Sequence, residues 1–254
     1  MSLVIAKPTG GKLAVKKPTG SGWTITPQTK VPVDPFRSQV SLLLHGDGVN
    51  GSTTITDNSP TPKTVTAVGN AQISTAQSKF GGSSIAFDGN GDGLFVAAGN
   101  QEFNLSSGNW TVEVWVYFNT FSINTDPHVF QISTDAANRY VVYRDASTGK
   151  LSFVTVNNNI FTFSNSTTSP TPNTWYHVAI SRLGTTSTLF INGVAEATNS
   201  QPINSGTLLE IGFISINTPN QFRLNGYIDD LRITKGVARY TANFTPPAAP
   251  FPDI

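Results

Sequence analysis

The 254-residue chain has no cysteine, which excludes a disulfide scaffold, thiolate metal centres and a cysteine nucleophile. Charge is scarce too. Only 12% of residues are Asp, Glu, Lys or Arg, against ~25% in an ordinary soluble domain, too few to clothe the outer faces of helices. No uninterrupted apolar run approaches the ~18 residues of a membrane-spanning helix. The first residues, MSLVIAKPTGG, lack the basic segment and following apolar core of a secretory signal. What the chain has instead is 22 Gly, 16 Pro and abundant Ser, Thr and Asn, the complement of strand surfaces and tight turns. No stretch repeats its apolar residues at a period of 3.6, so no substantial helix is expected.

A boundary falls near residue 36. Before it, LVIAKPTGGK (Leu3 to Lys12) is followed by LAVKKPTGSG (Leu13 to Gly22), and WTIT opens a third copy of the ten-residue unit. Each unit reads as a short apolar strand closed by a Lys-Pro-Thr-Gly turn. Two and a half units cannot bury a core. The five charges before Asp34 are all lysines (Lys7, Lys12, Lys16, Lys17, Lys30), leaving 11 basic against 15 acidic residues for the rest. Residues 1–36 are thus expected to be an extended basic arm that becomes ordered against another surface, the alternative being a plain linker. No nucleic-acid-binding motif surrounds these lysines.

From Val40 onward short alternating segments are separated by Gly, Asn, Pro and Ser clusters. Trp110–Phe118 predicts a strand with Trp110, Val112, Val114, Val116 and Phe118 on one face and Thr111, Glu113, Trp115 and Tyr117 on the other. Further strands are predicted at 129–133, 139–144, 150–156, 160–164, 175–183, 188–192, 208–213 and 222–234. Asn192-Gly193 is the strongest hairpin signal, since a type I′ turn needs positive φ at both central residues. About a dozen antiparallel strands in residues 37–254 predict an all-β, two-sheet jelly-roll sandwich.

Six segments in order, Leu42 to Gly48, Phe80 to Gly89, Trp110 to Phe118, Thr174 to Ile180, Leu189 to Gly193 and Gly226 to Ile233, resemble the laminin G-like, concanavalin A-type jelly roll over residues 38–245. The tail Thr234 to Pro247 resembles the version found in phage and environmental viral structural proteins. That resemblance implies a virion component. The family includes lectins, adhesion domains and some glycoside hydrolases, so site chemistry must decide function.

Retaining glycoside hydrolysis needs two carboxylates ~5–5.5 Å apart. The four glutamates (Glu102, Glu113, Glu196, Glu210) are dispersed, the Glu-x-Asp-x-x-Glu pattern of hydrolase members is missing, and no catalytic residue is assigned. His45, His128 and His177 lack metal-ligand spacing. Asp88-Gly-Asn-Gly-Asp-Gly93 matches the first half of a calcium loop, but position 12 is Gly99 where a bidentate Glu is required, and such an Asp/Asn/Gly run between two strands is more often a tight loop. The resemblance implies a structural calcium between the first and last strands, with Asp229, Asp230 and Asp47 as candidate ligands; Asp–Arg pairing is the competing account. For glycan binding, Trp115 and Tyr117 are the candidate aromatic platform, with core packing the competing account for Trp115. The expected protein is a non-enzymatic virion structural component: residues 1–36 dock it to other virion proteins, and the jelly roll meets a host-surface glycan or further copies of itself. The alternative is a carbohydrate-binding module of a cellular glycan-processing protein.

Overall fold

Apolar alternation pairs into ladders along the computed structural model, which describes residues 14–15, 25–26, 32–97, 102–121, 126–201, 206–213 and 222–254. In chain order the strands are β1 (Ala14–Val15), β2 (Ile25–Thr26), β3 (Val40–Leu44), β4 (Val65–Val68), β5 (Gln72–Ser74), β6 (Ser84–Asp88), β7 (Gly93–Ala97), β8 (Trp110–Phe118) and β9 (His128–Asp135). They continue with β10 (Asn138–Arg144), β11 (Leu151–Asn157), β12 (Ile160–Asn165), β13 (Trp175–Leu183), β14 (Thr186–Ile191), β15 (Val194–Asn199), β16 (Leu208–Ile211) and β17 (Asn225–Lys235). Among the described residues helix is confined to a three-residue 3-10 turn, Arg37–Gln39. β1 pairs with β2, so the second and third copies of the ten-residue repeat meet as a short antiparallel ladder; the remainder of 1–31 lies outside the described residues.

Two antiparallel sheets form the sandwich. One has seven strands in the order β12-β11-β10-β9-β16-β7-β4. The other has eight, β15-β14-β13-β8-β17-β6-β5 with β3 also on β17. β17 serves two neighbours along one edge: Asn225–Ile228 pair with β6, and Leu231–Thr234 with β3. The handover is a bulge at Asp230, whose φ is +46°.

Between the sheets lies the core expected from alternation on β8. Trp110, Val112, Val114, Val116 and Phe118 are all at most 1% exposed. Tyr140 packs edge-on to Trp110 and parallel to Phe153, and its hydroxyl donates to the Leu105 carbonyl at 3.0 Å. Each large side chain withdrawn from water contributes about 1.5–3 kcal/mol. Asn192 and Gly193 take φ of +50° and +80° between β14 and β15, the predicted hairpin turn. The domain's two ends meet, the Asp34 N–H donating to the Ile254 carbonyl at 2.7 Å.

Candidate functional site

The face of β8 opposite the core looks away from the sandwich in the eight-stranded sheet; two coverings close part of it and the far end is open. At one end, Glu113 is 0% exposed beneath the C-terminal tail. Arg232 donates to its Oε1 from Nε at 3.0 Å and from Nη2 at 2.7 Å, while Tyr240 donates its hydroxyl to Oε2 at 2.6 Å. His177 Nε2 stands 3.3 Å from the same oxygen. Burial pushes the Glu113 carboxyl up, but Arg232, His177 and Tyr240 together pull it down to about 2. Asp34 completes the lattice by accepting from Arg232 at 3.1 Å and Arg239 at 2.7 Å. A carboxylate with both oxygens engaged and no exposure cannot reach a glycosidic bond; Glu113 clamps the tail.

The middle of the strand belongs to Trp115. A segment running through Lys79 and Phe80 folds over its ring: the Lys79 ammonium sits 3.9 Å from the ring centroid and Phe80 lies edge-on at 6.0 Å. Asp229 holds that segment down, its Oδ2 accepting the backbone N–H of Lys79 at 2.7 Å and of Phe80 at 3.1 Å. Trp115 is therefore only 5% exposed, and its ring is covered rather than presented.

At the far end the face opens. Register aligns Gln72, Ala86, Tyr227, Tyr117 and Trp175 in one row across β5, β6, β17, β8 and β13. Tyr117 stands between two aromatic neighbours, 5.7 Å from Tyr227 and 5.4 Å from Trp175, and its hydroxyl donates to Asn173. Tyr117 is buried, while Tyr227 and Trp175 are half-buried and offer accessible ring surface. Gly226 permits this closeness: a Cβ there would come within 1.9 Å of the Tyr117 carbonyl oxygen. Beside Tyr227 is a cleft of about 500 Å³ lined by Asn70, Gln72, Asp88, Asn119, Asn225 and Tyr227, with Ser74, Ala86, Phe87 and Asp92. Asn119 donates to Asn225 Oδ1 at 2.9 Å, and Asn70 to Asp88 Oδ2 at 3.1 Å. An aromatic plane beside several amides is what a sugar requires, with its C–H face and hydroxyl edge. A second cleft of about 340 Å³, between Gln39, Lys63, Glu102 and Lys235, has no aromatic lining.

Asp88 and Asp92 are the cleft's carboxylates. Asp92 is 1% exposed, and its oxygens accept the backbone N–H groups of Asn70 and Asp88. Burial pushes its carboxyl up, the two N–H groups oppose this, and the Asp88 charge adds to it. Asp88 Oδ1 accepts the Asn90 N–H at 2.6 Å. The Asp88–Gly93 run is thus a turn that satisfies its own oxygens, and Asp92 is too enclosed to act as a general acid.

The metal candidates separate. Bulging at Asp230 turns successive carboxylates apart. Asp230 pairs with His45 Nδ1 and accepts the Phe251 N–H at 2.9 Å; His45 also meets Asp253 at 2.9 Å. Burial lowers the His45 pKa, but Asp230 and Asp253 carry it up to about 9; burial holds the Asp230 carboxyl above its ordinary range despite His45, and both Asp230 oxygens already have protein partners. Asp229 and Asp47 remain. Asp47 lies against Gly81, where a Cβ would approach its Oδ1 to 1.8 Å. Burial, then the charges of Asp230 and Asp47, raise the Asp229 carboxyl to about 7 against the pull of its two N–H donors. Among the described residues no three His, Cys, Asp or Glu side chains converge on a common point.

Sequence reasoning put Tyr117 with Trp115 on one face of β8; Tyr227, Trp175 and the amides beside Tyr117 were not among its candidates. Both aromatics stand in segments quoted above; only strand register brings them together.

A family model described as the concanavalin A-like lectin/glucanases superfamily matches residues 88–239. Among solved structures, domain 4 of AbnA, an extracellular GH43 arabinanase from Geobacillus stearothermophilus solved with arabinotriose, superposes with a TM-score of 0.61 at 18% identity, over 78% of this chain and 93% of that one. The binding domain of botulinum neurotoxin serotype D gives 0.60 at 16% identity, over 79% of this chain and 49% of that one. That of Paraclostridial Mosquitocidal Protein 1 gives 0.59 at 16% identity, over 83% and 50%. The chain spans about half the length of these toxin binding domains. No curated protein matches the sequence. At such identities the structural likeness concerns the fold alone.

Proposed function

The chain belongs to the concanavalin A-like lectin/glucanases superfamily, and from that premise we propose that it is a non-catalytic glycan-binding module whose sugar lies in the cleft beside Tyr227. One observation carries the reading: Tyr227, the end of a register-aligned row with Tyr117 and Trp175, borders a 500 Å³ cleft lined by four amide side chains. Among the described residues Asp88 and Asp92 are the only charged ones lining it, so the fitting ligand is a neutral sugar; a sulfated or carboxylated one would meet like charge. A single shallow cleft binds in the millimolar to micromolar range, roughly −4 to −8 kcal/mol. Several displayed copies gain about 10²–10⁴-fold by effective concentration.

The proposed setting is a virus particle, with residues 1–36 docking the module to other virion proteins. The lysine-rich ten-residue repeat and the tail's resemblance to viral structural proteins support it. A structural calcium held by Asp229 and Asp47 belongs to the same proposal. The second reading, a module of a glycan-processing protein, is favoured by the match to nearly all of domain 4 of the arabinanase.

A glycan array probed with the multimerised chain tests the binding. Retention of neutral oligosaccharides is expected, and a blank array contradicts the proposal. Incorporation into particles with and without residues 1–36 separates the two settings, since only the virion reading requires the arm.

A further inference from the structure

The seven-stranded sheet ends at β12, an edge less protected than β5 and β15 at the two ends of the other sheet. β5 is bonded along its flank, the Ile73 N–H donating to Ser52 and its carbonyl accepting from Gly51. β15 is tied by Asn243, which accepts the Ala195 N–H, and by Glu196, which accepts two loop N–H groups. β12 pairs with β11 on one side and, among the described residues, with no strand on the other; β15 meets it through the Ser164 hydroxyl, which donates to the Thr198 carbonyl at 3.2 Å.

Its chemistry invites pairing. Ile160, Phe161 and Phe163 are 69%, 49% and 56% exposed, and the two Phe rings stack at 6.2 Å. Folded proteins guard bare edges with charge, proline or a bulge. From Ile160 to Asn165 there is no charged residue and no proline, and the register is unbroken. The backbone groups can be assigned. Asn158 and Asn159, with φ of +51° and +64°, form a two-residue turn, so Asn157 and Ile160 are its hydrogen-bonded closing pair. Antiparallel alternation then points the N–H and C=O of Ile160, Thr162 and Ser164 at β11 and leaves those of Phe161 and Phe163 facing outward.

We propose that β12 is the interface between two copies of this chain, joined antiparallel about a two-fold axis at Thr162. That axis sets Phe161 of each copy opposite Phe163 of the other, which pairs both outward-facing backbone sites and gathers four phenylalanines on one face. Because the strand is neutral throughout, the two-fold brings no like charges together. The exposed side chains amount to roughly 300 Å² of apolar surface per copy, less than the ~800 Å² per partner of a standard interface, so the dimer is reversible and concentration-dependent.

A cysteine at the axis tests the geometry, since the chain has no other. Thr162 would face its own copy as a non-hydrogen-bonded pair with Cα atoms about 4.5 Å apart, inside the range of a disulfide. Under mild oxidation Thr162→Cys should give a covalent dimer and Thr185→Cys, at an exposed turn, should not. In sedimentation equilibrium the unaltered chain should shift from monomer to dimer with concentration, and the Phe161→Lys, Phe163→Lys double variant should stay monomeric with an unchanged thermal midpoint. A chain that is monomeric at all concentrations, a dimer that survives both lysines, or equal cross-linking at residues 162 and 185 overturns the proposal.

Discussion

Tyr227 stands edge-on to Tyr117, with ring centroids 5.7 Å apart and planes at 73°, because the β17–β8 register makes the two residues direct partners. Tyr117 is enclosed by this arrangement and Tyr227 is left half-exposed at the lip of the cleft. The two rings therefore divide the work: Tyr117 supports, and Tyr227 offers surface.

Trp115, two residues along the same face, should behave as packing. Trp115→Ala is expected to lower stability by about 3–5 kcal/mol, while any folded fraction keeps its affinity for ligand. Denaturant titration beside a binding isotherm checks both. A variant with unchanged stability and lost binding would place the platform at Trp115 instead.

Glu113→Gln should destabilise by about 3–5 kcal/mol, since removing one partner of a buried pair strands the other's charge. Arg232 would keep Asp34 as its ion-pair partner and lose the Glu113 charge beneath it. The thermal midpoint measures this; a change below about 1 kcal/mol contradicts the clamp.

His128 supplies a pH dependence. It is buried against Tyr143 and Phe222, and burial, with Arg139 adding, brings its pKa down to about 4 from 6.5 against the pull of the Asp126 carbonyl. Between these values the unfolded chain binds more protons, so stability rises with pH through the window and falls as pH drops from 6.5 toward 4. The loss attributable to this one group is at most about 3 kcal/mol. His128→Gln should flatten the slope of unfolding free energy between pH 4 and 6.5, and an unchanged slope assigns it to other groups.

If a cation joins Asp229 and Asp47, a chelator should lower the thermal midpoint, because a ligand bound only by the folded state stabilises it. Asp229→Ala should abolish the chelator effect and Asp88→Ala should preserve it. Superimposable curves with and without chelator, from protein first saturated with calcium, contradict the metal.

Much of the architecture was legible because strands are written in alternation. Trp110–Phe118 and Trp175–Leu183 have the predicted ends. Other ends moved for backbone reasons. The segment expected over 208–213 stops at Ile211 because Gly212 turns with φ +77°, and that expected from residue 222 begins at Asn225, Phe222 having a φ of +68°. β4, β5 and β7 were not foreseen. Coverage was the harder matter. Alternation put Trp115 and Tyr117 together, yet Trp115 is sealed by Lys79 and Phe80, which lie on another segment, and the Asp229–Asp230 pair is split by a bulge that spacing does not reveal.

The most direct test of the glycan cleft is calorimetric titration of the chain and of Tyr227→Ala with a neutral oligosaccharide retained on the array. The half-exposed ring should be removable with little loss of stability, and the cleft account predicts an affinity at least about tenfold weaker, ~1.4 kcal/mol, with Asn225→Ala shifting it in the same direction. Equal affinity in the unaltered chain and in Tyr227→Ala, both folded, would contradict it.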